Sequence, residues 1–369
     1  MKFVFSGAGG GHFYPLIAVA ESIKAEVFVQ KLPDPEFIFM ADKPYDEEAL
    51  ATVGMRYSHV PAGKMRVYFS FENFFDIFVT IWGCVVAYCK LFIIYPDVIF
   101  AKGGYASFPV LLGARLLSIP VIIHESDAIA GRVTSWAGNF ADKIAISQET
   151  AAQYFNEKKL ALTGQPVRIK LIPPLNYIKK EGLPEKPLLL ILGGSQGAAN
   201  INDVIVASLP ELLQHFDIVH QTGKEHESAI KVLTDALLQN DINKNRYFMA
   251  GFIDLAMYYH KADLIVSRAG STTLFEAALW QIPVLVIPIP QTVSRDQVKN
   301  AYSFAKIGTC LVIEESNLSK NIIITELRNL VENKIKYSSM SKSGLKVSYS
   351  RDAAHTIAKE MIHIGLSHL

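Results

Sequence analysis

The chain has 369 residues, half of them hydrophobic, 11% aromatic and 19% charged. That length exceeds the ~100 to 200 residues of a usual domain, so two domains are expected. The composition excludes a disordered, collagen-like or disulfide-scaffold chain. Thirty-six Lys and Arg against 35 Asp and Glu leave a net charge of +1, without the global basic field that captures nucleic acid. Three cysteines, Cys84, Cys89 and Cys310, have neither C-x-x-C nor metal-ligand spacing, which fits a reducing compartment. The N-terminus runs straight into a glycine loop without the features of a signal peptide, so a cytoplasmic protein is expected.

In chain order, KFVFSG is followed by a predicted helix from Pro15 to about Lys24, then EFIFMA. The segment Phe74 to Tyr95 is the most apolar in the chain. Asp76 and Lys90 bracket thirteen uninterrupted residues within it, short of the ~20 of a spanning helix. Two readings stand: a crossover helix on a sheet, or a peripheral membrane foot with Lys64, Arg66 and Lys90 attracting anionic lipid. Next come DVIFAKGG, a helix from Pro109 to Leu117, PVIIHES and KIAIS. Between Thr163 and Pro187 five prolines and a cluster of lysines mark a domain boundary.

A second series follows: PLLLILGGSQG with a helix from Ala198, FDIVHQTG, RYFMAGFID, ADLIVSRAG with a helix from Ser271, IPVLVIPIP with a helix from Gln297, and CLVIEE. Alternation of this kind predicts βαβ units with parallel sheets. The expected organisation is residues 1–165 as one Rossmann-like domain and 166–349 as a second. A terminal helix over 350–369 packs back on the first. Ligand crevices in such folds lie at the carboxyl ends of the strands, so the cleft between the domains is the expected active site.

The chemistry-bearing residues sit in the glycine turns. SGAGGGHFYP places Gly9, Gly10 and Gly11 where main-chain N–H groups and a helix start favour an anion, with His12 at the mouth as a candidate general base. A Rossmann dinucleotide loop is the rival, but its spacing and its ribose-binding acid are not matched. LGGSQG repeats the construction, with Ser195 and Gln196 before a helix. In SRAGSTTLFE, residues Ser271, Thr272 and Thr273 start a helix and Glu276 sits one turn in, able to accept two hydrogen bonds from a ribose diol or simply to suit the helix dipole. Arg168 in GQPVR can offset diphosphate charge, and Asp296, Gln297 and Asn300 cluster at another strand-to-helix turn. No metal pair stands near these loops, so neither metal nor cofactor is expected.

Taken in order, GAGGGH, GGYASFP, HESDAIAG, TGQPVR, LGGSQGA, HQTGK, FID, SRAGSTTLFE and DQVKNA resemble the motifs of the MurG family from residue 3 to about 310. These are UDP-N-acetylglucosamine:undecaprenyl-diphospho-muramoyl-pentapeptide N-acetylglucosaminyltransferases, which convert lipid I to lipid II. The resemblance implies an α/β GT-B fold of two Rossmann-like domains, the acceptor held by the first and UDP-GlcNAc by the second, at the cytoplasmic face of the inner membrane. It implies Ser195 and Gln196 at the diphosphate, Arg168 near the phosphates, and the Ile253 backbone at the uracil. Ser271 to Thr273 would line the nucleotide, Glu276 hold the ribose and Gln297 the sugar hydroxyls, while Gly9 to Gly11 approach the diphosphate as the domains close. His12 would be the base, with Glu125 or Asp127 orienting or sharing its task. Two departures are Gly9, where the family commonly has Thr, and Ser126-Asp127, where it has Gln-Asn.

The expected reaction inverts the donor anomer without a metal. A GT-B donor site does not identify the acceptor, so transfer to another lipid such as diacylglycerol is the nearest alternative. From other classes, a dinucleotide-dependent oxidoreductase and a non-catalytic sugar-nucleotide binder remain.

Overall fold

The computed structural model describes residues 1–64, 72–179, 182–193, 198–294 and 296–367. The chain folds into two compact units, Met1–Ile169 with Tyr349–Leu369, and Lys170–Ser348.

The first unit runs β1 (Lys2–Ser6), α1 (Tyr14–Gln30), β2 (Glu36–Ala41), α2 (Glu47–Thr52), β3 (Met55–His59), α3 (Glu72–Ile94), β4 (Val98–Ala101), α4 (Phe108–Leu116), β5 (Val121–Glu125), α5 (Arg132–Ala137), β6 (Lys143–Ile146) and β7 (Leu160–Leu162). The seven strands form one parallel sheet in the order β3-β2-β1-β4-β5-β6-β7. Central strands are apolar on successive residues because helices cover both faces. Thus Phe3 and Phe5 pack with α1, while Val4 enters the opposite core with Ala87 and Leu91 of α3 and Leu111 of α4.

The second unit runs β8 (Leu188–Leu192), α6 (Ala199–Leu212), β9 (Asp217–Gln221), α7 (Glu227–Leu237), β10 (Tyr247–Ala250), β11 (Leu264–Ser267), α8 (Ser271–Leu279), β12 (Val284–Val286), α9 (Gln297–Ile307), β13 (Cys310–Val312), α10 (Lys320–Glu332) and α11 (Lys334–Ser343). Its six strands are parallel in the order β10-β9-β8-β11-β12-β13. The chain then returns to the first unit as α12 (Ala353–Ser367), which buries Ile357, Ala358, Met361 and Ile362 in the core that α1 shares. At this crossing Gly164 has φ +84°, and a Cβ there would lie 2.5 Å from Ser350 Cα.

Both sheets reverse strand order beside their first strand, between β1 and β4 and between β8 and β11. Such a switch point opens a crevice at the carboxyl ends of the strands. The loops after β1 and β4, and after β8 and β11, are therefore where each unit is built to bind.

Helix α3 is longer than its uninterrupted apolar run predicts. It spans 23 residues, and Phe74–Ile94 has the length and composition of a membrane-crossing helix, with mean hydropathy 2.2 and only 17% of its most apolar window buried. Its buried stripe is Gly83, Ala87 and Leu91, at helical i, i+4, i+8 spacing. A Cβ on Gly83 would fall on the carbonyl oxygen of Pro61, so glycine permits that close approach. The large side chains point the other way: Phe75, Phe78, Trp82 and Phe92 are each more than half exposed.

Candidate active site

In the first unit, Lys102 follows β4 and continues the sheet, its N–H donating to the carbonyl of Ser6 (2.9 Å). The loop after β1 folds over it. Gly10 has φ +69°, and Gly10–His12 form a single tight turn. The half-buried ring of His12 lies against Lys102, with Nδ1 2.9 Å from its carbonyl oxygen. A carbonyl only accepts, so Nδ1 carries the proton and Nε2 keeps a lone pair. Burial lowers the His12 pKa. Asp127 and the bond to the carbonyl oppose that shift, and the Lys102 charge reinforces it.

Below this ring lies a buried polar layer. The Lys102 ammonium donates to Ser126 Oγ and to His124 Nδ1. His124 Nε2 donates to the carbonyl of Gly164 (2.9 Å), and Ser126 and Ser147 both donate to Gln165 Oε1 (2.8 and 3.0 Å). Burial pulls Lys102 down to about 7 against the pull of Glu125 and Asp127, and holds His124 well below the usual imidazole range. Glu125 is buried at the end of β5. Its carboxylate accepts from the main-chain N–H groups of Asp127 (3.1 Å) and Gly131 (2.9 Å) and from Thr134 Oγ1, tying the 126–134 loop to the first turn of α5. Burial, then the neighbouring Asp127, push it up to about 7. Glu125 thus organises the loop that presents Asp127, which is itself half-buried.

The same loop has a second wall. Tyr45 has φ +59°, and its ring carbons lie 2.5 Å from where a Cβ on Gly9 would be. Its hydroxyl donates to Asp42 Oδ1 (2.6 Å), and Tyr105, just past the Gly103-Gly104 turn, donates to Oδ2 (2.7 Å). One carboxylate thereby joins both glycine loops. Tyr45 fills the space a side chain at position 9 would need, which explains glycine there. Arg168 is anchored on α1, its Nε and Nη2 each 3.0 Å from Glu21 Oε1.

In the second unit, Ser195 and Gln196 lie outside the described residues. Gly270 caps α8, with no atom of the described residues within 4 Å of a Cβ built on it, and Ser271, Thr272 and Thr273 form the first turn that follows. Glu276 is buried one turn in and accepts from Tyr259 Oη (2.8 Å); burial pushes it up to about 7. Gln297, at the start of α9 after Asp296, accepts through Oε1 from the N–H groups of Ala269 and Ile289 (3.2 Å each), which fixes its Nε2 as the donor end. Buried Asn300 donates to the carbonyl of Ala269 (3.3 Å). Four of the expected donor-site residues, Ser271, Glu276, Gln297 and Asn300, therefore converge on the 269–276 turn. The Ile253 N–H donates to Gln221 Oε1 (3.2 Å), so its main-chain donor is already engaged.

Sequence reasoning missed Lys102, His124, Tyr45, Asp42, Gln221 and Tyr259. A lysine ending the apolar strand VIFA was a visible signal for the first; the tyrosine clamp joins residues 63 positions apart and gave none.

Residues 3–146 match the glycosyltransferase family 28 N-terminal domain, and residues 188–357 its C-terminal domain. A Bacillus cereus UDP-N-acetylglucosamine–N-acetylmuramyl-(pentapeptide) pyrophosphoryl-undecaprenol N-acetylglucosamine transferase is 33% identical over 98% of this chain and 99% of its own. The chain belongs to the MurG family. The Legionella pneumophila (strain Lens) enzyme of that name is 31% identical, with 98% of each chain covered. The crystal structure of Acinetobacter baumannii MurG superposes with a TM-score of 0.71 at 23% identity, covering 98% of this chain and 99% of that one. MurG membership fixes the GT-B fold and the glycosyltransferase class, and removes the oxidoreductase and the non-catalytic binder from consideration.

Proposed function

We propose that this chain transfers N-acetylglucosamine from UDP-N-acetylglucosamine to the 4-hydroxyl of the muramoyl sugar of lipid I, forming lipid II, with His12 as the general base. The family carries the reaction; the observation that carries the mechanism is the His12 Nδ1 bond to the Lys102 carbonyl, which leaves Nε2 as the basic atom. The acceptor hydroxyl gives its proton to Nε2 as its oxygen bonds to the anomeric carbon. The bond from that carbon to the diphosphate oxygen breaks, and UDP leaves with the electron pair, inverting α to β. Asp127 stands where it stabilises the imidazolium that forms, and Glu125 holds Asp127's loop in place. Gly9, Gly10 and Gly11 supply main-chain donors for a diphosphate, with Arg168 as a nearby cation.

The second unit is the donor site in this reading. The first turn of α8, Ser271 to Thr273, receives the nucleotide, Glu276 the ribose diol and the Gln297 amide the sugar hydroxyls. Ser195 and Gln196 take the diphosphate, Ile253 the base, and Asp296 and Asn300 complete the turn. The exposed face of α3 supports peripheral docking on the cytoplasmic face of the inner membrane, because so large an apolar surface is costly in water. Lys90, on α3 itself, donates to the carbonyl of His59 (2.7 Å), and Lys64 sits over the Tyr105 ring; Arg66 lies outside the described residues.

Incubation with labelled UDP-N-acetylglucosamine and a short-chain lipid I analogue tests the reading. It expects label in the lipid product through a β linkage; transfer to diacylglycerol instead would replace the acceptor, and an α linkage would exclude the in-line step.

A further inference from the structure

The proposed mechanism leaves a buried lysine unused. Lys102 is 1% exposed, among the largest fully buried side chains of the molecule, and burying an ammonium is costly unless it is paired or bonded. Its bonds go to two neutral acceptors, Ser126 Oγ and His124 Nδ1, and not to a carboxylate. Those partners lie one and three residues before Asp127 in the chain, and Lys102's own carbonyl holds His12. We propose that Lys102 is a positioning residue for the candidate base: its carbonyl selects which imidazole nitrogen faces the acceptor, and its ammonium is the counter-charge that lets Asp127 stand beside that imidazole. The inference rests on the His12 reading and deepens it.

Four titratable groups lie in or beside this buried polar layer. Lys102 comes from the end of β4, His124 and Glu125 from the end of β5, and Asp127 from the loop that follows. Asp127 favours protonated His12 and Lys102 disfavours it, while both Glu125 and Asp127 favour the charged ammonium. Lys102 and Asp127 thus bias the imidazole in opposite senses. Without Lys102, an aspartate at position 127 would shift His12 toward the protonated form, which cannot accept. Without Asp127, the buried ammonium would make it a weaker acceptor for the proton. Lysine at 102 and aspartate at 127 therefore form one device, and a neutral residue at either position calls for a neutral residue at the other.

The test is direct titration of His12 by imidazole NMR in the full-length protein, with pH profiles of kcat/KM for a short-chain lipid I analogue alongside. The variants are Lys102→Met, Lys102→Gln, Asp127→Asn and the double Lys102→Met/Asp127→Asn. Lys102→Met and Lys102→Gln should each raise the His12 midpoint by about one pH unit, roughly tenfold on the acid limb, and Asp127→Asn should lower it comparably. The double variant should fall back near the parent. In the parent, the nitrogen shifts should report the Nδ1–H tautomer. An Nε2–H tautomer, or a His12 midpoint unmoved in a folded Lys102→Gln protein, overturns the proposal. Should neither lysine variant fold, Asp127→Asn decides alone: a lower midpoint upholds the device and an unchanged one overturns it. If the midpoints move as expected but the acid limb does not follow, the Lys102 device stands and His12 is not the base.

Discussion

Glu276 gives the donor-site assignment a thermodynamic signature. Burial holds its carboxyl near 7, so at neutral pH about half of the unliganded protein carries a proton there. A ribose diol donating two hydrogen bonds favours the carboxylate, and binding must then expel that proton. If the bound carboxylate falls to roughly 5, affinity for UDP-N-acetylglucosamine weakens about tenfold from about pH 8 to about pH 6, or about 1.4 kcal/mol. The same values give release of about half a proton near pH 7, rising to about 0.8 near pH 6. The sign follows from linkage: the free protein binds more protons than the complex, so acid opposes binding. The diphosphate of the sugar nucleotide is a diester and does not titrate in this range. Isothermal titration calorimetry in two buffers of different ionisation enthalpy measures both quantities. Glu276→Gln should flatten the dependence. A parent protein with flat affinity and no proton release would show that Glu276 does not meet the ribose.

Gly164→Ala forces a left-handed backbone onto a residue with a Cβ and drives that atom onto Ser350. The first unit should lose about 2 to 4 kcal/mol and melt roughly 5 to 15 °C lower by calorimetry; an unchanged melt would refute the tight crossing. Gly9→Thr should lower kcat/KM for the acceptor at least about tenfold, because Tyr45 occupies the space, and adding Tyr45→Ala should recover part of it. Failure of the double variant to recover any activity would separate the two residues. Exchanging Phe78 and Trp82 for Ser should weaken flotation with anionic vesicles by about 2 kcal/mol, roughly thirtyfold, with UDP-sugar affinity unchanged. Intact flotation would remove α3 as the membrane contact.

The fold was legible where strands are buried on both faces, since KFVFS, VIIHE and LLLIL stand out as apolar runs ending in glycine or acid-rich turns. The edge strands of the first sheet were not: β3 is MRYSH, with three of its five residues exposed, and β7 is three residues long. Helix α1 runs past Lys24 to Gln30, with Val27 in the core it shares with α12; the return of the terminal helix to the first domain was expected, its pairing with α1 was not. At the candidate site, His12 and Glu276 stood out in the sequence because each follows a glycine turn at a strand end. The engagement of Glu125 by its own loop was not, because it depends on the backbone path from 126 to 134. Nor was the role of Lys102, because its carbonyl reaches His12 across ninety residues of sequence and its ammonium meets β5 only once the sheet has formed.

The central claim is that His12 removes the acceptor proton and does nothing for the donor. Measuring UDP-N-acetylglucosamine affinity and single-turnover transfer in His12→Ala tests it most directly. Affinity should stay within about twofold while transfer falls by about 10² to 10⁴. Transfer persisting within about tenfold of the parent would contradict it.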